Sequence, residues 1–137
     1  MMLAACASPR ITPQTKLPGQ RLTESTPGQK SRVVFFNSSN RAMYGVDKSG
    51  RIDIYIDGAA LATVDIGEYV QTFLPKGDHQ VELRHRDMVW MKSTHRLDVD
   101  REAEWVRVYC QVFSNGFQVT HQPPPNFAAD FRPAAPH

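Results

Sequence analysis

The sequence predicts an all-β domain, an antiparallel two-sheet sandwich of about seven or eight short strands. Three observations carry this. Apolar and polar residues alternate with a period of two in several stretches, as in "RIDIYID" and "HQVELRH". Turn formers separate those stretches: Asp57-Gly58, "PKGD" and Asn115-Gly116. No stretch shows the spacing of an amphipathic helix.

The strands follow in order. "RVVFFN", from Arg32, is a short apolar run between polar turn formers and reads as a buried strand. In "RIDIYID", Ile52, Ile54 and Ile56 face one way, and Arg51, Asp53, Tyr55 and Asp57 the other. Asp57-Gly58 is a tight-turn dipeptide from which "ALATVD" returns as the paired strand. "EYVQTFL" comes next, stopped by "PKGD". "HQVELRH" places Val81, Leu83 and His85 on one face, and "THRLDVD" does the same with His95, Leu97 and Val99. Pairing Leu83 with Leu97 sets Val81 opposite Val99 and His85 opposite His95, all facing inward. Two facing imidazoles lack the third ligand that zinc needs, so they read as a polar layer closing the core, with no metal. "AEWVRVYCQVF" is the longest strand. Val106, Val108, Cys110 and Val112 form its aliphatic face; Trp105, Arg107, Tyr109, Gln111 and Phe113 form the other. Asn115-Gly116 is expected to turn the chain into "FQVTH". The proline-rich end, "QPPPNFAADFRPAAPH", excludes a regular strand or a long helix. The order of strands and turns suits an immunoglobulin- or transthyretin-like sandwich.

The chain has 137 residues, enough for one domain with a core. Its net charge of +2 is too mild for the dense basic stripe of a nucleic-acid binder, so no nucleic acid is expected. No apolar run reaches the roughly 18 residues that a membrane-spanning helix needs. The opening "MMLAACASPR" sets small residues before Cys6, the pattern a lipoprotein signal peptidase reads, without the roughly 7–15 apolar residues of a full signal. Residues 7–31 have a linker composition of Pro, Gly, Ser, Thr and Gln. The expected organisation is a signal remnant with lipobox cysteine at 1–6, a flexible linker at 7–31, the sandwich at 32–121, and a Pro-rich tail at 122–137.

The run "IYIDGAALATVDIGEYVQTFLPKGDHQVEL" contains a strand, Asp-Gly, a return strand, Gly-x-Tyr and a Pro-x-Gly-x-His turn, at Tyr55, Asp57, Gly58, Gly67, Tyr69, Pro75, Gly77 and His79. It resembles a small bacterial lipoprotein domain of unknown function, related in pattern to PEGA-type β-sandwich domains. The resemblance covers about residues 32–120, its specific part about thirty of them, and "RDMVWMKS" is bulkier than the pattern implies. It implies an exported or anchored envelope protein without catalysis. Together with Leu3-Ala4-Ala5-Cys6 and the linker, it makes Cys6 the expected lipidation site. The expected location is the bacterial cell envelope, at the outer membrane facing the periplasm, with lipid such as palmitate as the anchor.

No Gly-x-Ser-x-Gly, phosphate loop or His-Glu-x-x-His is present, so the sequence calls for no enzyme and no cofactor. Cys110, on an aliphatic face, reads as an inert core thiol. Two apolar features are candidates for contact. Met88, Val89, Trp90 and Met91 fall at a hairpin tip, where they either meet a protein partner or the membrane surface, or fold back over the core. Trp105, Tyr109 and Phe113 form an aromatic face that is either a recognition platform or lies under the tail, with Phe127 or Phe131 as the plug. Arg84, Arg86, Lys92 and Arg96 make a basic outer face, a solvated surface or a contact for anionic polymer. The expected function is protein–protein contact in an envelope or secretion-type assembly. The alternative is a module binding cell-wall glycan or a small ligand through Tyr55, Trp105, Tyr109 and Phe113.

Overall fold

The computed structural model describes residues 11, 30–45, 50–86 and 90–134. Along the chain run β1 (Lys30–Asn37), the helical turn α1 (Arg41–Tyr44), β2 (Ile52–Ile56), β3 (Ala59–Val64), β4 (Glu68–Pro75), β5 (Gly77–Arg86) and β6 (Trp90–Val99). Then come β7 (Ala103–Gln111), β8 (Ser114–Val119), the helical turn α2 (Phe127–Asp130) and β9 (Arg132–Pro133). The strands form two sheets, in the orders β8-β7-β1-β4-β9 and β3-β2-β5-β6. The chain is an all-β two-sheet sandwich.

Each link in a sandwich of this kind reverses the chain, which favours antiparallel neighbours. Two pairings are nevertheless parallel, β1 with β7 and β4 with β9. β1 and β7 are separated by an even number of reversals, so they run the same way when they meet.

β1 lies between β4 and β7, and its apolar run is buried on both faces. Val33 and Phe35 enter the core between the sheets. Val34 and Phe36 enter a second cluster with Trp105 and Phe127 on the outer face of the same sheet. That is why the run does not alternate. The tail supplies the second cluster. Phe127 meets Trp105 edge-on at 4.8 Å and Phe36 at 5.9 Å, and Phe131 stacks on Phe127 at 5.1 Å. β9 then pairs with the start of β4. Prolines keep the tail irregular, but its aromatic residues plug the sheet, and its described part through Ala134 belongs to the folded domain.

The turns divide. Asp57 and Gly58 have φ of 50° and 83°, the left-handed pair of a tight hairpin, as their sequence predicts. Asn115-Gly116 is not a turn. Val112 and Phe113 make the bend, and both Asn115 and Gly116 lie in β8, opposite Cys110 and Tyr109. The Tyr109 ring lies directly over Gly116, where any Cβ would collide with it. The glycine answers a close approach rather than a tight bend.

The β5–β6 register also differs from expectation. Leu83 pairs with Ser93, Val81 with His95, and His85 with Met91. The two histidines are therefore not opposite each other. Trp90 and Met91 open β6 rather than lying in the hairpin tip.

Candidate functional site

Among the described residues the exposed large apolar side chains are Met43 (59%), Trp90 (47%), Val112 (51%) and Phe113 (86%). The topology gathers all four at one end of the sandwich. Trp90 starts β6, and Val112 and Phe113 bend β7 into β8. Asn115, at the start of β8, donates from Nδ2 to the Met91 carbonyl at 3.1 Å. Met43 sits on α1 beside Tyr44, whose ring meets that of His85 at 6.1 Å.

Beneath this apolar end lies a buried polar frame. Asn115 Nδ2 also donates to the Leu83 carbonyl at 3.1 Å. With both of its donors engaged by carbonyls, Oδ1 must accept, so His85 donates to it from Nδ1 at 2.5 Å. His85 and Asn115 are almost wholly buried. One asparagine thus joins β8 of one sheet to β5 and β6 of the other. Asn37 does the same from the end of β1. Its Nδ2 donates to the carbonyls of Gly50 (2.7 Å) and Val64 (3.0 Å). Its Oδ1 accepts from the backbone and hydroxyl of Ser39, and the Ser39 hydroxyl accepts from the Cys110 amide. Breaking any of these bonds would leave a further buried group unsatisfied, besides His85 Nε2, which is buried without a hydrogen-bond partner among the described residues. Through Asn115 the frame ties the start of β8 to the start of β6. Asn115 was legible only as a turn residue, because nothing local marks an asparagine as a cross-sheet tie.

The predicted residues are distributed as follows. Cys6, Met88 and Val89 lie outside the described residues. Trp90 is half in water, while Met91 is half-buried. Tyr55, Trp105, Tyr109 and Phe113 are not brought together. Tyr55 belongs to the other sheet, under the Arg84 guanidinium at 4.3 Å. Trp105 is covered by the tail. Tyr109 lies under Arg107 at 4.2 Å, and Phe113 projects from the bend. Cys110 is buried in the main core. His95 stacks on Phe117 at 4.7 Å, and burial holds its pKa below the ordinary value. On the basic face, Arg84 and Lys92 both pair with Glu82, and Arg96 pairs with Asp78. The side chain of Arg86 lies outside the described residues. Among the described residues no three His, Cys, Asp or Glu side chains converge on a metal position.

The opposite end gives Asp57, Pro75 and His79 a shared structural role. His79 Nδ1 lies 2.7 Å from Asp57 Oδ2, and its Nε2 lies 2.7 Å from the Pro75 carbonyl. Asp57 Oδ1 accepts from the Gln80 amide at 2.9 Å. The β2–β3 turn is thereby clasped to the β4–β5 turn. Both partners of the imidazole are acceptors, so only the doubly protonated ring satisfies both. Burial works to lower the His79 pKa, but the bonds to Asp57 and Pro75 and the nearby negative charges outweigh it and raise it above 6.5. Asp57 is held below 3.8, first by the Gln80 amide and then by His79.

A histidine raised in the folded state contributes fully below its unfolded pKa and loses that contribution as pH rises through the folded one. The clasp is at full strength from above the Asp57 range up to the ordinary histidine range. The melting temperature is expected to fall between about pH 5.5 and about pH 8.5 by more in the native chain than in His79→Gln. Equal slopes in thermal melts of the two would refute the clasp.

Two hollows are lined by described residues. One of about 480 Å³ lies beside the clasp, lined by His79, Thr94 and Arg96 among others. The other, about 320 Å³, lies between tail and sheet, walled by Phe36, Phe131, Pro123 and Pro124, with Arg107 at its side. No family model, no curated protein and no solved structure matches the chain.

Proposed function

We propose that this is a lipid-anchored protein of the bacterial cell envelope, acylated on Cys6, whose sandwich acts without catalysis by binding an envelope protein through its apolar end. The observation that carries the reading is the gathering of Trp90, Phe113, Val112 and Met43 at one end, beside the Asn115 bonds that join the strands there. Rigid, exposed aromatic side chains are the usual anchors of protein interfaces, because they bury much area at little entropic cost. Leu3-Ala4-Ala5-Cys6 and the resemblance of residues 32–120 to envelope lipoprotein domains support the anchor and the compartment. Outer-membrane attachment with the sandwich in the periplasm suits this arrangement. The separation of Tyr55 and Trp105 from Phe113 favours this reading over a glycan-binding one, which would use those aromatic residues together.

The anchor is tested by mass spectrometry. In a Gram-negative host, behind a signal whose processing is left to Leu3-Ala4-Ala5-Cys6, the membrane-bound chain is expected to carry acyl groups on Cys6. An unmodified thiol there overturns the anchor. The contact surface is tested by Trp90→Ala. Its stability is expected to stay within about 0.5 kcal/mol of the native chain, because the ring is half in water. Crosslinking of an envelope protein from a photoreactive group at Phe113 is expected to fall sharply, since truncating an interface Trp costs about 2 kcal/mol of binding or more. A large loss of stability with crosslinking intact would return Trp90 to the core.

A further inference from the structure

The tail does not close on the sheet along its whole length. Phe127 reaches Trp105 and Phe131 reaches Phe36 at 5.2 Å, yet a hollow of about 320 Å³ remains between tail and sheet. Its walls are apolar rings, those of Phe36, Phe131, Pro123 and Pro124, and its lining carries a single charge, Arg107. The register of β1 on β7 sets Arg107 beside Phe36, both on the outer face of the five-stranded sheet. The wall beyond β8 is built rather than loose. The Thr120 amide donates to the Trp105 carbonyl at 2.8 Å, and its hydroxyl donates to the Gln122 carbonyl at 2.8 Å. Proline then fixes φ at the next two residues.

Arg107 is held in place by neutral groups alone. Its Nε donates to Ser38 Oγ at 2.5 Å, and its guanidinium lies over the Tyr109 ring at 4.2 Å. Ser38 is fixed in turn, its amide donating to the Val108 carbonyl at 3.0 Å. Nη1 makes a long bond of 3.4 Å to exposed Gln118, and Nη2 has no hydrogen-bond partner among the described residues. Arg84, Arg96 and Arg132 are each paired with a carboxylate, from Glu82, Asp78 and Glu68. Arg107 makes no ion pair among the described residues, although it is half-buried. A guanidinium oriented in this way offers the Nη1–Nη2 edge to an acceptor that the fold does not itself supply.

We propose that this hollow binds a small organic carboxylate whose body is one apolar ring or its equivalent. The planar fork of an arginine matches a carboxylate with two parallel charge-assisted bonds. The single positive charge in the lining suits a monoanion, and the rings of Phe36, Phe131, Pro123 and Pro124 suit an apolar body. The volume sits at the small end of the roughly 300–1,000 Å³ of ligand sites, which limits the ligand to about the size of one ring with a short acid arm. The site depends neither on the lipid anchor nor on the protein contact proposed above.

The test is an NMR titration of the isotope-labelled full chain with hydrocinnamate, its uncharged amide hydrocinnamamide, and acetate. Hydrocinnamate is expected to saturate with a Kd of about 1 mM or tighter, moving the Thr120 and Gln122 amides and the Arg107 side-chain Nε–H. The amide is expected to bind at least about tenfold more weakly, because it cannot accept two charge-assisted bonds. Acetate, which keeps the charge and lacks the ring, is expected to lose affinity by about as much. Arg107→Gln should weaken hydrocinnamate about tenfold and leave the amide where it was. Equal affinities of acid and amide in the native chain would overturn the carboxylate site, and equal affinities of acid and acetate would overturn the role of the rings. Shifts spread over the basic face of Arg84, Lys92 and Arg96 would overturn both, as general attraction of an anion. The three ligands are compared on the native chain, so the test stands even if Arg107→Gln does not fold.

Discussion

Replacing Asn115 with alanine is expected to cost the fold about 3–5 kcal/mol and to lower the melting temperature by roughly 10 °C or more. The change strands the buried Nδ1–H of His85 and removes a side-chain donor from the carbonyls of Leu83 and Met91. The His85 donor keeps its desolvation cost and loses its compensation, since the ring is 1% exposed, and the two lost bonds to carbonyls add to that cost. The damage falls on the junction of the two sheets, so the apolar end should loosen with it. Gln118→Ala, on the same strand but exposed, serves as the control and should change stability by less than about 0.5 kcal/mol. Calorimetry of the two variants is the measurement. A loss below about 1 kcal/mol in Asn115→Ala would show that the asparagine is not the tie between the sheets.

Truncating Phe127 to alanine should be comparably severe, at about 3–5 kcal/mol. Its ring is buried among Phe36, Tyr69, Trp105 and Phe131. Without it the outer face of the five-stranded sheet is left open and the tail loses its plug. Trp105, only 6% exposed in the native fold, would meet water, so its fluorescence should shift to the red. Trp90 is already half in water and contributes little to that shift. Protease cleavage within 122–134 should rise in parallel. Unchanged Trp105 emission would mean that the tail covers the sheet without help from Phe127.

Much of this was legible in the sequence, and the reason is local. A strand betrays itself by which residues face the same way, and Ile52, Ile54 and Ile56, or Val106, Val108 and Cys110, declare a face without reference to any partner. Asp57-Gly58 declares its turn because the left-handed backbone there is a property of those two residues. The plug was legible too: an aromatic face on β7 and two phenylalanines in a proline-rich tail have few ways to avoid water other than to meet.

Register was not legible. Leu83 pairs with Ser93 where Leu97 was expected, a slide of four residues. An even slide leaves every side chain on its own face, so the alternating pattern is the same before and after it. What separates the two pairings lies elsewhere in space, in the clasp of His79 to Asp57 and Pro75 and in the grip of Asn115 on Met91. The same holds for the asparagines. Asn115-Gly116 has the local chemistry of a turn, and only the Tyr109 ring above the glycine and the carbonyls of the opposite sheet beside the asparagine give the pair another use. The sequence by itself determined where the strands lie, which faces are apolar and that two sheets must pack. The tertiary structure decided which strands became neighbours, which apolar residues were left in water and that Ile11 bonds Thr63. Those outcomes depend on the satisfaction of particular donors and acceptors across the fold, and a donor's partner is set by distance in space rather than along the chain.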